Sequence, residues 1–599
     1  MEEKLNTSVE ETQQNFRVDL GGVIELLSRN LYSSPGVFVR ELIQNAMDAI
    51  TARDALQGEP APRLVTISPF GVATANSPAE EFALADGGIG VSAEDVEQFL
   101  ATVGASSKRE DLEASRHQYI GQFGIGLLSC FLITDEITVE SRSATGSKPI
   151  VWVGKSDGTY VLKETDADLP IGTTVRLRPR PDMVAWVQAD KLTGLVRKYA
   201  EFLPVEISMF TNSGRRVLTR DFPWSSDFAG HRAHVLTGEA PSYGGIGFGR
   251  QFDVIHVDEP SLGLQAAIYI GAPEGKSRSA DRNRVYVNNM LVDDDENSLM
   301  PPWAFFAWAV VNSTMLEPTA SRESVMADSA LAMTRQRLGQ AALAWLNAIA
   351  DSDPERFAEF VLQHELELKS AATQGFDREK LLLASVVLPM LSVQTTEGVM
   401  RLADVAQRSP NILFAGYADE FRTIASFNPK GRLVVNAGHV LDREILQTLP
   451  QVMLEVTVTR VYPASEIAGL ATPPLESAPE VIALEKRAQD VLIPFNCDVA
   501  IRHFPSNELP AVFIDRGQIS TDSPGYGETA HLVLNWGNRV VRALAKTQDP
   551  VVFERVIQLL FVQARMAGQH DGADDRALLS ASLDDILALA VGLDGRETL

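Results

Sequence analysis

Apolar and polar positions in residues 40–50, RELIQNAMDAI, separate onto two faces of a helix. At roughly 100° per residue, Glu41, Asn45 and Asp48 fall on one narrow stripe, while Leu42, Ile43, Ala46, Met47 and Ile50 form a core face. Taken alone, such a stripe favours the plain reading of a helix side in water. A stripe turned toward a ligand is the other reading. The helical pattern covers residues 16–57 and is interrupted at Ser33-Ser34-Pro35-Gly36, where the chain must turn. Alternating or β-branched runs then predict strands at LVTISPF, EFALAD, EITVESRS, IVWVG and TTVRLRP. A helical stretch, LTGLVRKYAEFLPVEI, closes this region and leads into turn-rich residues 211–250.

A second α/β unit begins near residue 253, with strands at LQAAIYIG and NRVYVNNMLV and helices through residue 372. A third contains NILFAGYADEFRTIASF and RLVVNAG. The Pro- and Ala-rich stretch 463–480 reads as a surface loop or linker. From LVLNWGNRVVRAL onward, apolar residues recur at three- and four-residue spacing and predict amphipathic helices. The most apolar run, LLLASVVLPML near residue 385, is too short and Pro-broken to span a bilayer.

A chain of 599 residues exceeds what one core supports, so several domains are expected. Its 79 acidic and 53 basic residues give a formal charge of -26, which repels phosphate backbones and argues against nucleic acid as a partner. Two cysteines are too few for a disulfide framework and suit a reducing compartment. Cys130, within LLSCFLI, reads as core. The polar, acidic N-terminus has no apolar stretch of signal-peptide type, so a soluble cytoplasmic protein without membrane attachment is expected.

Three stretches carry candidate chemistry. In LADGGIGVSAEDV (84–96), Asp86 ends a strand, Gly87, Gly88 and Gly90 allow a tight turn or close approach of a ligand, and Ser92 with Asp95 makes a capping box. An ordinary strand-turn-helix joint has the same punctuation. In YIGQFGIGLLSCFLI (119–133), glycines precede a helical apolar run and would aim free backbone N–H groups at a phosphate. Between them, LATVGASSKREDLEASRHQ has the composition of a mobile flap, or of an exposed loop.

The order ExxxNxxD on a helix, DGGIG after a strand, a flexible segment and GQFGIG before a helix resembles the GHKL ATPase superfamily. Within it, NLYSSPGVFVRELIQNAMDAI and IGQFGIGLLSCFLITDEITVESRS resemble the 90-kilodalton heat-shock chaperones, the family of bacterial HtpG. LEPTASRESV (316–325) resembles that family's middle-domain segment, and the preceding RVYVNNMLVDDDENSLMPPW matches the same domain. NELPAVF and LVLNWGNRVVRAL resemble its C-terminal dimerisation region more loosely.

The resemblance implies an α/β multidomain chain: an N-terminal sandwich of the Bergerat type that binds ATP (1–220), an α/β middle domain with a catalytic arginine (221–455) and a mixed α/β dimerisation domain (456–599). It implies that Glu41 orients and deprotonates the attacking water and that Asn45 ligates Mg²⁺. Asp86 would accept a hydrogen bond from the adenine amino group, with Thr173 supporting that network through water. Gly88 and Gly90 would let the backbone approach the base, and Asp48 would lie beside the nucleotide. Backbone N–H groups of Gly121, Gln122, Phe123, Gly124, Ile125 and Gly126 would hold phosphates. Arg322 would arrive from the second domain to stabilise charge on the transferred phosphoryl. The expected activity is slow ATP hydrolysis by a homodimeric clamp that acts on client proteins.

This chain departs from the family in several places. Lys108 is displaced from the usual Lys-Ser-Gly, Phe99 stands where the family has asparagine, and Leu127 and Val91 replace phenylalanine and methionine. Met326 takes the place of a glutamine that assists the arginine in some members. The chain ends GRETL rather than MEEVD and has no acidic linker, which points to a bacterial-type form. Two alternatives follow: a nucleotide-gated scaffold for one dedicated partner, or a DNA-processing GHKL ATPase. GAPEGKS (271–277) is one spacer short of a P-loop, HRAH (231–234) reads as a surface loop, and the run Asp293–Glu296 as a solvated turn.

Overall fold

The structure is a computed structural model that describes residues 34–56, 61–74, 77–96, 126–238, 243, 250–271, 283–319, 321–373, 378–427, 432–516, 529–570 and 572–591. The protein is an α/β multidomain chain with mixed sheets, and it divides into two compact units, 1–345 and 346–599. Among the described residues, no helix is long and apolar enough to cross a membrane.

The first unit opens with helix α1, Val37–Asp54, started by the Ser34-Pro35-Gly36 turn, in which Ser34 Oγ accepts from the Gly36 N–H at 3.2 Å. Phe38, Leu42, Ile43, Met47 and Ile50 are buried on the face that the periodicity assigns to the core. Each such side chain contributes roughly 1.5–3 kcal/mol of burial free energy. They pack on an eight-stranded sheet built from β1 (Leu64–Ser68), β2 (Phe82–Asp86), β3 (Thr134–Arg142), β4 (Ile150–Lys155), β5 (Tyr160–Glu164), β6 (Gly172–Pro179), β7 (Glu206–Thr211) and β8 (Gly214–Val217). Its order is β5-β4-β3-β6-β2-β1-β7-β8, antiparallel except where β1 pairs with β7. Helix α2, Ala93–Asp95, has the expected capping box: Ser92 Oγ accepts from the Asp95 N–H and Asp95 Oδ2 accepts from the Ser92 N–H.

Helix α3, Ala189–Ala200, follows β6 and shares the core of α1. It is shorter than its sequence pattern: Pro204 cannot continue it, and Glu206–Thr211 leaves as β7. Helix α4, Phe228–Thr237, contains the HRAH stretch, so that stretch is not a loop. His231 is buried and its Nε2 lies 2.9 Å from Tyr269 Oη, which removes it from any surface metal site. A second, five-stranded sheet runs β12-β11-β13-β10-β9, from β9 (Gln251–Glu259), β10 (Leu264–Gly271), β11 (Arg284–Val287), β12 (Met290–Asp293) and β13 (Ala307–Ser313). NRVYVNNMLV is thus not one strand but a hairpin, turned at Asn288 and Asn289, whose φ angles are 48° and 68°.

The second unit contains a five-stranded sheet ordered β15-β14-β17-β16-β18 and a three-stranded sheet ordered β19-β21-β20. Here β14 is Ser392–Thr395, β15 Gly398–Arg401, β16 Asn411–Ala415, β17 Val434–Asn436 and β18 Thr457–Arg460, while β19 is Cys497–Arg502, β20 Ala511–Ile514 and β21 Ala530–Asn535. Residues Pro463–Ala468 form a helix rather than a loop, because Ala464 and Ile467 are fully buried and Pro463 sits at a tolerated first-turn position. The C-terminal periodicity appears as helices Arg539–Lys546, Pro550–Ala567 and Ala573–Ala590.

Candidate active site

The polar stripe of α1 is not a uniformly solvated face: Glu41 is 3% exposed, Asp48 is half-buried and Asn45 is open. Burying a carboxylate this deeply requires charge partners. Two arginines supply them. Arg40 Nη2 lies 3.2 Å from Glu41 Oε1, and Arg322 Nη1 lies 2.9 Å from Glu41 Oε2. Arg322 Nη1 also donates to Gln44 Oε1.

Arg322 sits at the tip of a short hairpin that leaves β13. The Met326 N–H donates to the Glu317 carbonyl at 2.8 Å, the Thr319 N–H to the Ser324 carbonyl at 2.9 Å, and the Arg322 N–H to the Thr319 carbonyl at 2.9 Å. Arg322 itself has φ 55°, a left-handed conformation that a non-glycine residue adopts only when its surroundings enforce it. Arg40 provides much of that enforcement, donating from Nη1 to the Arg322 carbonyl at 3.0 Å and from Nη2 to the Ser321 carbonyl at 2.9 Å. One arginine therefore holds the loop while the other is delivered to Glu41. Two guanidinium groups thus converge on one carboxylate.

The DGGIG turn lies against the same helix. The Ile89 N–H donates to the Ala49 carbonyl at 2.9 Å, and Arg53 Nη1 donates to the Gly87 carbonyl at 2.7 Å. A Cβ at Gly88 would sit 2.5 Å from Ala49 Cβ, and one at Gly90, whose φ is 71°, would sit 2.1 Å from the Arg142 carbonyl oxygen. Asp86 Oδ1 accepts from the Gly88 N–H at 2.8 Å. Burial pushes the Asp86 carboxyl up to about 7, only partly offset by backbone hydrogen bonds from Gly88 and Thr173. Thr173 pairs with Asp86 across β2 and β6, and its Oγ1 lies 3.1 Å from Ser141 Oγ. Ser141 Oγ in turn accepts from the Val91 N–H at 2.9 Å, tying β3 to the turn.

Gly126 opens a 3-10 segment, Gly126–Leu132, tighter than the helix that the sequence suggested. A Cβ on Gly126 would lie 2.9 Å from Glu41 Oε2 and 3.6 Å from Asn45 Nδ2, so its backbone borders both. The structure brings Glu41, Asn45, Gly126 and Arg322 together, with Asp86, Gly88, Gly90 and Thr173 on the adjoining sheet and turn. Gly121, Gln122, Phe123, Gly124 and Ile125 lie outside the described residues, as do Phe99, Lys108 and the expected flap. Sequence reading missed Arg40, Gln44, Arg53 and Ser141. Arg40 and Gln44 flank Glu41 at i−1 and i+3, and the i+3 spacing was the one signal available for Gln44.

These residues fit a purine nucleotide. A half-buried carboxyl near neutrality suits an amino donor, and the glycines leave room where side chains would collide. Gln44 Nε2, buried and without a partner in this structure, is a further donor beside Glu41 and Arg322.

The chain is similar to known proteins in two regions. Residues 32–176 match the family described as histidine kinase-, DNA gyrase B- and HSP90-like ATPase, and residues 266–411 match Hsp90 protein. The chain is 26% identical to chaperone protein HtpG of Chlorobium luteolum over 418 residues, 66% of this chain and 65% of that relative. It is 26% identical to the HtpG of Polaromonas naphthalenivorans over 431 residues, 66% of this chain and 67% of the relative. These matches support an HtpG-like Hsp90 family for the chain. The alignment spans slightly less than two thirds of the Chlorobium relative's own length. Both family matches fall in the first unit's two sheets or begin there, and the hairpin bearing Arg322 lies within the Hsp90 match.

Proposed function

We propose that this Hsp90-family chain is an ATP-driven molecular chaperone that hydrolyses ATP slowly and works as a homodimeric clamp on client proteins in the cytoplasm. The observation that carries this reading is the pairing of Glu41 with Arg322 beside Gly126 and Asn45. Glu41 is the general base for the attacking water, and Arg322 stabilises charge on the transferred phosphoryl. Asp86 accepts from the adenine amino group with Thr173 behind it, and Gly88 and Gly90 keep the backbone close to the base. Asp48 borders the nucleotide. Asn45 would hold Mg²⁺, which when bound would offset phosphate charge. The backbone N–H groups of residues 121–126 hold phosphates. The functional division is 1–220 for nucleotide, 221–455 for the arginine and 456–599 for dimerisation.

Arg40 and Arg322 engage both carboxylate oxygens of Glu41 and compete with an attacking water for them. Turnover therefore requires Arg322 to exchange the carboxylate for phosphate oxygen, which makes a conformational step a natural rate limit.

Steady-state ATP hydrolysis by the full chain beside its Glu41→Ala variant tests the proposal. Slow turnover that the variant abolishes, with ATP binding retained, supports it. Tight ATP binding with no turnover above the variant moves the reading to a nucleotide-gated scaffold. Turnover stimulated by DNA moves it to a DNA-processing ATPase.

A further inference from the structure

The hairpin bearing Arg322 is fixed at its far end as well as at its tip. The turn between β11 and β12 is Asn288-Asn289, with both residues at positive φ, the geometry of a type I′ turn. Asn289 bonds to two different parts of the first unit. Its N–H donates to Asn312 Oδ1 at 2.9 Å, and its Oδ1 accepts from Asn312 Nδ2 at 3.1 Å. Its own Nδ2 donates to the Phe202 carbonyl at 3.0 Å, two residues beyond the end of α3. The Asn288 N–H donates to the Ser313 carbonyl at 3.1 Å. Ser313 Oγ then accepts from the Met315 and Leu316 N–H groups at 3.1 and 3.3 Å, where the arginine hairpin begins.

These bonds close a circuit. Helix α1, carrying Glu41, shares a core with α3, and the Arg40 guanidinium lies 5.7 Å from the Tyr199 ring on α3. Two residues past the end of α3, the Phe202 carbonyl holds Asn289. Asn289 holds Asn312, and Asn312 and Ser313 start the loop that returns through Arg322 to Glu41. An ion pair between Lys198 on α3 and Asp294 just after β12 runs parallel to it at 2.8 Å. We infer that the Asn289–Asn312 pair is a positioning device that sets where Arg322 arrives relative to Glu41. Asn312 is 8% exposed and both of its amide atoms are satisfied by Asn289, so neither side chain can shift without stranding a buried polar group. The inference rests on the reading that Glu41 and Arg322 act on ATP.

Asn289→Gly in the full chain is the decisive variant, because glycine keeps the positive φ of the turn and deletes only the side-chain bonds. Two readouts are expected to change. ATP turnover falls about tenfold or more in kcat with KM within about twofold, the signature of a misplaced catalytic group rather than lost binding. Amide hydrogen exchange quickens across residues 315–326 while the protection of Val37–Asp54 is unchanged. Asn312→Asp, which keeps the acceptor for the Asn289 N–H and loses the donor, is expected to fall between the parent and Asn289→Gly. Unchanged kcat overturns the inference, even if exchange quickens, since the pair is then structural only. A parent chain with no ATP turnover and no ATP binding fails the ATPase reading itself. Exchange alone then decides the link: quickening in the hairpin supports it, and no change overturns it.

Discussion

Arg322 crosses 281 residues of sequence to place its Nη1 2.9 Å from Glu41 Oε2, within a unit where Arg40 already holds the other carboxylate oxygen. In the proposed roles of base and charge stabiliser, two groups that satisfy each other form a resting arrangement. Their catalytic use begins when the arginine has something more anionic to hold.

Removing the guanidinium therefore separates binding from chemistry. Arg322→Ala is expected to lower kcat by about 10³-fold or more, while the affinity for ATP changes only a few-fold. Arg322→Lys is expected to recover little of the loss, because a compact ammonium cannot offer a phosphoryl group the planar, two-nitrogen fork of a guanidinium. Steady-state kinetics with a parallel binding titration check both. Equal losses in binding and turnover would show that Arg322 contributes to ground-state affinity instead.

Gly126→Ala tests the crowding at the base. The new methyl would meet Glu41 Oε2 at 2.9 Å, closer than real Cβ contacts come, and Asn45 Nδ2 at 3.6 Å. The carboxylate must swing away from Arg322, so turnover is expected to fall about tenfold or more with little change in melting temperature. A variant as active as the parent would place the working position of Glu41 away from Gly126.

Asp86 gives a pH signature. Burial raises its folded value from 3.8 to about 7, so the folded chain holds a proton there that the unfolded chain has released. Its contribution to stability is full below about pH 4, declines as pH rises toward 7 and is constant above that. Binding of an amino donor runs the other way, since the ionised form is the better acceptor. Adenosine, which carries no phosphate to titrate, is expected to bind about tenfold more weakly at pH 6 than at pH 8. Asp86→Asn should bind weakly at both. A flat profile in the parent would mean that Asp86 does not hold the base through its charged form.

How much of this was legible in the chain depended on distance along it. The Asp86 turn, the capping box of Ser92 and Asp95 and the core face of α1 are local patterns, and each appears where its residues predict. Arg40 was invisible as a functional residue, because its partners, the Ser321 and Arg322 carbonyls, lie 281 and 282 residues away. His231 misled for the same reason: its partner Tyr269 is 38 residues on, in a different element. The Pro463–Ala468 helix was hidden by its Pro- and Ala-rich composition, which two buried side chains override. NRVYVNNMLV could have been read more finely, since two asparagines in a row between β-branched residues are the signal of a two-residue hairpin. The pairing of Glu41 with Arg322 had no local trace beyond family resemblance.

The DGGIG turn also permits a controlled test of how closely it is built. Gly71 and Gly90 both have positive φ, 89° and 71°, so alanine is strained at each. A Cβ at Gly71 meets nothing within 4 Å, whereas one at Gly90 would lie 2.1 Å from the Arg142 carbonyl oxygen and 2.7 Å from its carbon. Gly71→Ala is therefore expected to cost only the backbone term, about 1–2 kcal/mol. Gly90→Ala adds displacement of β3 from the turn and is expected to cost about 3 kcal/mol or more. Because the turn also carries Asp86 and Gly88, Gly90→Ala should weaken adenosine binding even at temperatures where the first unit remains folded, and Gly71→Ala should not. Thermal melts followed by far-UV circular dichroism, with adenosine titrations below the first transition, distinguish the two. Equal costs and unchanged binding in both variants would show that the contact between Gly90 and Arg142 is loose enough to relax, and that the turn does not depend on it.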